Sequence, residues 1–533
     1  MSRKQKLRKY LGTQDHSRPN DPVQKNFIPF PVQYQMLGLS VLAFLAYFNS
    51  LTNQFVNDDI TGIQKNPAMG NLFAMASNNW FYLPFALIRF ITFKIGGLDP
   101  LAFHLVNIPF HIGNVNLIFL ILNLISGNLV AIFVAAIFAV HPILSESVTW
   151  ISGGPYSTYS FFFLLSFYLF LKFRSVKTDL ISWLSCYISI ATNPLGIMLA
   201  PILTLWVFLQ PKENRTWLRL IPFWILSLIG FLINLLWALP QRAKILSSTG
   251  PLIKVNLFVQ IPTAISQYLK LIFWPAGLTL FHTLEQYGWD SFWHTTTSII
   301  VFFVFLGLII WTSRQQKLVC FWLLFFLLAL LPTLNQWGVN WIVAERYVYL
   351  GALGIISAVF IFASGYLAKL NHKLLFFILT LIVSGLAIRT WIRNQDWQDE
   401  IHLYTSAEKY SPDSPFIHAD AANAYLVEGF WEQGEAEAKT SLSLAPTAAG
   451  TWYLLGESYR ARGRYQEAEQ AYLKGIKVDP KYWGSYLGLA ETYAETGNQK
   501  NAIEMAQKTV ELAPNEPYPQ YVLNDLLTQK QQP

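Results

Sequence analysis

The chain has 533 residues, 53% of them apolar and 13% charged, with a formal net charge of +7, and that balance excludes an ordinary water-soluble protein and points to a multi-pass membrane protein. The charge is unevenly shared: residues 394–533 carry 20 Asp+Glu against 11 Lys+Arg, which leaves 11 against 27 for residues 1–393. The basic excess lies in short loops and reports topology, so nucleic acid is not expected as a partner.

In chain order, a basic leader (1–33, with Arg3, Lys4, Lys6, Arg8 and Lys9) precedes the first span, 34–55. That span is roughly 20 residues long, enough to cross the hydrocarbon. It lacks an Ala-x-Ala cleavage site and is expected to stay as an anchor, with the leader on the cytoplasmic side. Just beyond it, on the opposite face, comes Asn57-Asp58-Asp59. Adjacent carboxylates there suit proton transfer or metal binding, and an Asp also starts helices well. Further spans are predicted near 101–125, 128–145, 156–173, 178–192, 195–210, 219–240, 292–312, 317–334, 346–368 and 374–392, eleven in all. Basic residues fall where this path places cytoplasmic loops: Lys172/Arg174/Lys177, Lys212/Arg215, Arg314/Lys317 and Lys369/Lys373. Two long loops face outward, 56–100 and 241–291. In the first, Trp80–Ile95 is semi-apolar and interrupted by Pro84, Arg89 and Lys94, which reads as helix lying in the interface. The second holds Arg242, Lys244, Lys254 and Lys270, outward cations that suit a phosphate ligand as well as plain solvation. Cys186 and Cys320 lie in apolar segments without paired spacing, so neither a disulfide nor a Cys metal site is expected.

The tail repeats. Pro412, Pro446, Pro480 and Pro514 recur every 34 residues, in register with Tyr425/Tyr459/Tyr493 and Gly429/Gly463/Gly497. Trp452, Leu455-Gly456, Tyr459, Ala468 and Tyr472 complete the tetratricopeptide (TPR) pattern of paired helices. Three units over 394–533 make a short solenoid whose concave face binds peptide or protein. Gly434 replaces the usual Ala in the first unit, as befits a cap. The fold class is therefore all-α: a polytopic membrane bundle over 34–393, then a TPR solenoid.

Ionisable residues within spans are costly and face a cavity or a partner. His104, Asn107 and His111 share one face of the second span at i, i+3 and i+7. They line a polar cleft or serve as interhelical hydrogen-bond glue. His141-Pro142 and Glu146 close the third span outward, and Glu345-Arg346-Tyr347 opens the tenth. Arg346 suits a lipid phosphate, or else a pairing with Glu345 or Asp58. No Walker-type loop, His-Glu-x-x-His or Gly-x-Ser-x-Gly is present.

These residues carry a resemblance. Phe55-Val56-Asn57-Asp58-Asp59, then Gly96-Gly97-Leu98-Asp99-Pro100 with His104-Leu105-Val106-Asn107 and His111, resemble in order and spacing the transmembrane-and-TPR protein O-mannosyltransferases. His141-Pro142 with Glu146 and Trp150, Ala344-Glu345-Arg346-Tyr347, and Arg389-Thr390-Trp391 through Asn394-Gln395-Asp396-Trp397 extend it over nearly the whole chain. That family belongs to the GT-C class of polyprenyl-phosphate-sugar-dependent glycosyltransferases. The resemblance implies a GT-C-like membrane unit with Asp58 or Asp59 as catalytic base, and an inverting transfer of mannose or another hexose. The chain departs from the family at Leu83 (commonly Arg), at Gly154 and Tyr156 (commonly Arg and Asp) and at Asn193-Pro194 (commonly Lys-Glu).

The expectation is a membrane glycosyltransferase using a polyprenyl-phosphate-linked sugar and a Ser/Thr hydroxyl of a protein on the outer, periplasmic or lumenal, face. Arg346, with Arg242 and Lys244, would hold the donor phosphate; His104, Asn107, His111, His141, Glu146 and Glu345 would line the cleft. No cofactor is required, and a divalent metal at the Asp pair stays open. The short TPR array points to a prokaryotic cell membrane over endoplasmic reticulum. Two alternatives stand beside this: a transferase with a glycan or lipid acceptor, and a non-catalytic TPR scaffold in which the lost charges mark lost activity.

Overall fold

The computed structural model describes residues 30–76, 80–240, 257–282, 292–334 and 343–529. The chain divides into two compact units, 1–399 and 400–533. Both are helical, with no strand among the described residues.

A helix lies at each of the eleven stretches predicted to span. The count of eleven full spans is nevertheless not confirmed. Among the described residues six helices are long and apolar enough to cross alone: Val32–Thr52, Pro100–Ile125, Trp217–Ala238, Phe292–Gln315, Glu345–Leu367 and His372–Gln395. A seventh is formed if the bent pair Asn128–Val140 and Pro142–Val148, which turns by 55°, acts as one. The physical reason is length. Leu199–Leu209 has 11 residues and Lys317–Leu330 has 14, too few at about 1.5 Å per residue for a core of about 30 Å. Asn193-Pro194 breaks its helix as the sequence suggested, because Asn193 caps the following turn through its side chain (Leu195 N to Oδ1, 3.0 Å).

The centre of the membrane unit is built from Pro100–Ile125, Asn128–Val140, Pro155–Lys172, Lys317–Leu330 and Tyr349–Leu367. Their facing surfaces bury Phe119, Phe133, Phe138, Phe163, Trp322 and Tyr349. By contrast Trp217–Ala238, Phe292–Gln315 and His372–Gln395 keep most of their apolar surface outward, which only lipid tolerates at this extent. This is a multi-pass membrane protein. The helix Leu83–Gly96 exposes Leu87, Ile91 and Ile95 on one stripe, the form of a helix lying in an interface.

The second unit opens with Glu400–Glu408 and continues as helix pairs Pro415–Val427/Trp431–Leu444, Ala449–Ala461/Tyr465–Val478 and Trp483–Glu495/Gln499–Leu512, closed by Pro517–Gln529. The glycine column has a backbone cause: Gly429, Gly463 and Gly497 take φ of 81°, 71° and 80° in the turn inside each pair. Gly456 and Gly488 admit the Tyr472 ring, since a Cβ on either would fall 2.3–2.4 Å from it. Gly434 lies against Leu426, which takes the room of the usual Ala methyl.

Candidate active site

The segment after the first span turns sharply at Asn57, whose φ of 53° is the left-handed conformation that Asn tolerates better than most residues. The turn sends its two carboxylates to different places. Asp59 is fully buried; Oδ2 accepts the Val56 N–H (3.2 Å) and Oδ1 the Ser152 N–H (2.8 Å). Burial pushes its carboxyl up from 3.8 to about 7, against the pull of those hydrogen bonds and of Arg89. Asp58 is exposed, accepts no hydrogen bond among the described residues, and faces the charge of Arg89.

The segment that receives Asp59 follows Glu146. Trp150 donates Nε1–H to the Val56 carbonyl (3.3 Å) and stacks on Trp397, with ring centroids 5.5 Å apart. The Arg346 guanidinium carbon lies 5.4 Å from the Trp150 ring and 4.9 Å from the Tyr347 ring. Trp150 thus touches both the Asp loop and Arg346.

Arg346 pairs with neither Glu345 nor Asp58. Its partner is Glu146, which is fully buried, takes one guanidinium N–H on Oε1 and accepts the Arg346 backbone N–H on Oε2 (2.8 Å). The Arg346 side chain keeps 15% exposure, and its other guanidinium N–H groups are unbonded among the described residues. Glu345 turns to a different cation. Its carboxylate meets Arg393 (3.3 Å) and accepts the Thr279 N–H (2.6 Å), while Arg393 also reaches Asp396 (2.9 Å). Two buried carboxylate–guanidinium pairs therefore stand side by side, formed by consecutive residues facing opposite partners.

The expected cleft wall is a set of ties. His104 Nε2 meets the Asn53 carbonyl (3.1 Å), Asn107 donates to the Trp150 carbonyl (3.2 Å), and His111 Nδ1 meets the Tyr349 hydroxyl (2.7 Å). All three are buried, the hydrogen-bond glue that polar groups between membrane helices provide. His141 is likewise buried: its Nδ1 accepts the Ile143 N–H (3.3 Å), so Nε2–H donates to the Ile272 carbonyl (2.9 Å). Gly154, where the family commonly has a charge, is held to glycine because a Cβ would fall 2.0 Å from Asn107 Oδ1. Arg242 and Lys244 lie outside the described residues.

Arg89, Ser152, Tyr349, Arg393 and Asp396 were not singled out from the sequence for these roles. Asp396 lies within the Asn394-Gln395-Asp396-Trp397 motif and Arg393 beside it, which was a usable signal; Ser152 meets Asp59 through its backbone N–H, which any residue offers.

Tetratricopeptide-repeat family models match residues 449–482 and 484–516. The chain is 24% identical over 497 residues to the human "Protein O-mannosyl-transferase TMTC3", covering 80% of this chain and 53% of that protein. It is 23% identical over 447 residues to the Caenorhabditis elegans "Protein O-mannosyl-transferase F38B6.6" (77% and 63%). With human TMTC2 it shares 30% identity over 155 residues (26% and 18%). The chain spans about half the length of the first two relatives it matches, human and mouse TMTC3 (53% and 54%). These relatives are animal proteins, so the expectation of a prokaryotic membrane gains no support from them. Membrane bundle, repeat tail and relatives together make this chain a match to the transmembrane-and-TPR O-mannosyltransferase-like family that its motifs resemble.

Proposed function

We propose that this chain is an inverting GT-C glycosyltransferase. It moves mannose or another hexose from a polyprenyl-phosphate donor to a Ser or Thr hydroxyl of a protein, on the membrane face opposite its N-terminus. The observation that carries the reading is the division of labour at Asn57-Asp58-Asp59. Asp59 has both oxygens committed to backbone N–H groups, whereas Asp58 is exposed and unbonded beside Arg89. A carboxyl near 7 lies in the range of a general base, but geometry comes before pKa, and Asp59 reaches no solvent. Asp58 is the base. It takes the acceptor hydroxyl proton while that oxygen bonds to the anomeric carbon. The bond from that carbon to the phosphate oxygen breaks, and its electron pair leaves on the phosphate. Arg346, oriented by Glu146 and with guanidinium N–H groups to spare, neutralises that charge. The TPR unit presents the protein acceptor or recruits a partner.

The test is sugar transfer from a polyprenyl-phosphate donor by membranes containing Asp58→Asn or Asp59→Asn protein. Asp58→Asn should lower transfer by about 10²-fold or more with unchanged melting temperature. Asp59→Asn should act mainly on stability. Parental transfer by Asp58→Asn would remove the base and favour the scaffold.

A further inference from the structure

The proline column of the TPR unit carries a repeated hydrogen bond. In each repeat the proline carbonyl accepts a hydrogen bond from the side chain six residues on: Trp452 Nε1 to Pro446 (2.9 Å), Tyr486 to Pro480 (3.2 Å) and Gln520 to Pro514 (2.8 Å). His418 Nε2 does the same to Pro412 (2.7 Å). Every member of the column is a donor, so Nε2 carries hydrogen and the other ring nitrogen, Nδ1, is directed elsewhere. It faces two carboxylates, Glu437 Oε2 at 2.7 Å and Glu408 Oε1 at 3.9 Å.

The next two repeats carry no carboxylate or imidazole at these positions. Thirty-four residues on, Glu408 becomes Leu442, His418 becomes Trp452 and Glu437 becomes Ala471; a second step gives Ile476, Tyr486 and Met505. The first repeat alone exchanges a packed trio for Glu-His-Glu. The three ligand atoms lie within 4.8 Å of one another, and Glu408 Oε1 is buried without a hydrogen-bond partner. No Lys or Arg pairs with either glutamate among the described residues; Tyr425 is the other titratable group whose charge state they influence. Nδ1–H donates to Glu437 here; once that proton is given up, two carboxylates and an imidazole nitrogen, with the far N–H fixed on a backbone carbonyl, offer the ligands and supporting shell that a transition metal takes.

We infer that Glu408, His418 and Glu437 bind a divalent transition metal of the Zn²⁺ class, tying the leading helix to the first TPR pair. At Zn–N and Zn–O lengths of about 2.0–2.2 Å, tetrahedral donors stand about 3.4 Å apart. The observed 2.7 and 3.9 Å bracket that separation. One side of the cluster is partly exposed, which leaves the fourth position to water.

The experiment uses the full chain in detergent, without a polyhistidine tag, stripped with chelator and titrated with Zn²⁺ by calorimetry, with bound metal counted by mass spectrometry. The parent should hold one Zn²⁺ per chain, with its melting temperature raised by the metal and the metal released on acidification, because Nδ1 must be free of its proton. The triple variant Glu408→Leu, His418→Trp, Glu437→Ala copies the second repeat, so it should pack as a TPR and bind none. Should it fail to fold, Glu437→Gln alone should weaken binding by about 10-fold or more. Absence of Zn²⁺ from the parent at millimolar metal, or equal binding by the parent and either variant, overturns the site and leaves a proton-mediated His–Glu pair.

Discussion

Asp59 binds its proton more tightly in the fold than in the unfolded chain, since burial lifts its carboxyl to about 7. Its stabilising contribution is complete below about pH 3.8 and is lost as pH rises through about 7. The melting temperature of the parent should therefore fall between about pH 4 and 7, and part of that slope should vanish in Asp59→Asn. A slope unchanged by the substitution would assign the pH dependence to other groups. Arg346 offers a separate check. Its guanidinium and backbone N–H both end on Glu146, with Glu345 turned away to Arg393. Breaking a buried pair costs about 3–5 kcal/mol. Thermal melting of Arg346→Lys, Glu146→Gln and the double variant should give a strong coupling, and the same cycle with Glu345 a weak one. The reverse ranking would contradict the pairing. None of this partnership was legible in the sequence. Glu146 lies 200 residues from Arg346, and adjacent Glu345 was the natural partner until the turn at Glu345–Val348 pointed the two side chains apart.

Among the elements, the turn between Trp150 and Pro155 shows how a missing charge can be a steric requirement. Gly153 and Gly154 leave room for the Glu146 carbonyl and for Asn107 respectively. Gly154→Ala should lower stability by about 1–3 kcal/mol through overpacking, and Asn107→Ala in the same chain should recover part of it despite losing the bonds to Trp150 and Ile151. Additive losses measured by thermal melting would dismiss the clash. The solenoid was readable from sequence because one period repeats both a backbone need (Gly429, Gly463, Gly497) and a need for small buried residues (Gly434, Ala468, Ala502). The spans were readable as helices but not as crossings. Hydropathy reports that Leu199–Leu209 is apolar, and is silent on whether it meets lipid or ends halfway against a neighbour. Spacing puts His104, Asn107 and His111 on one face, but pattern alone does not separate a wall from a tie, since that depends on what Asn53, Trp150 and Tyr349 bring to it.

For the whole molecule, the basic loops and the odd count of eleven spans expected from the sequence predict opposite compartments for the leader and the TPR unit. Protease added to right-side-out vesicles should remove the tail from about residue 400 on, and a protected tail would mean an even number of crossings. His372–Gln395 is bare along most of its length, yet its C-terminal end is fastened to other segments of the bundle. Thr390 holds Val140, Asn394 holds Ala46 and Thr149, and Arg393 holds Glu345. Under mechanical load these fastenings act in parallel, whereas the TPR helices unzip in series. A molecule pulled by its C-terminus between tip and bilayer should first yield a run of low, evenly spaced steps. A single high rupture should follow as the thread reaches Asn394, with the rest of that helix then sliding out of the lipid against little resistance.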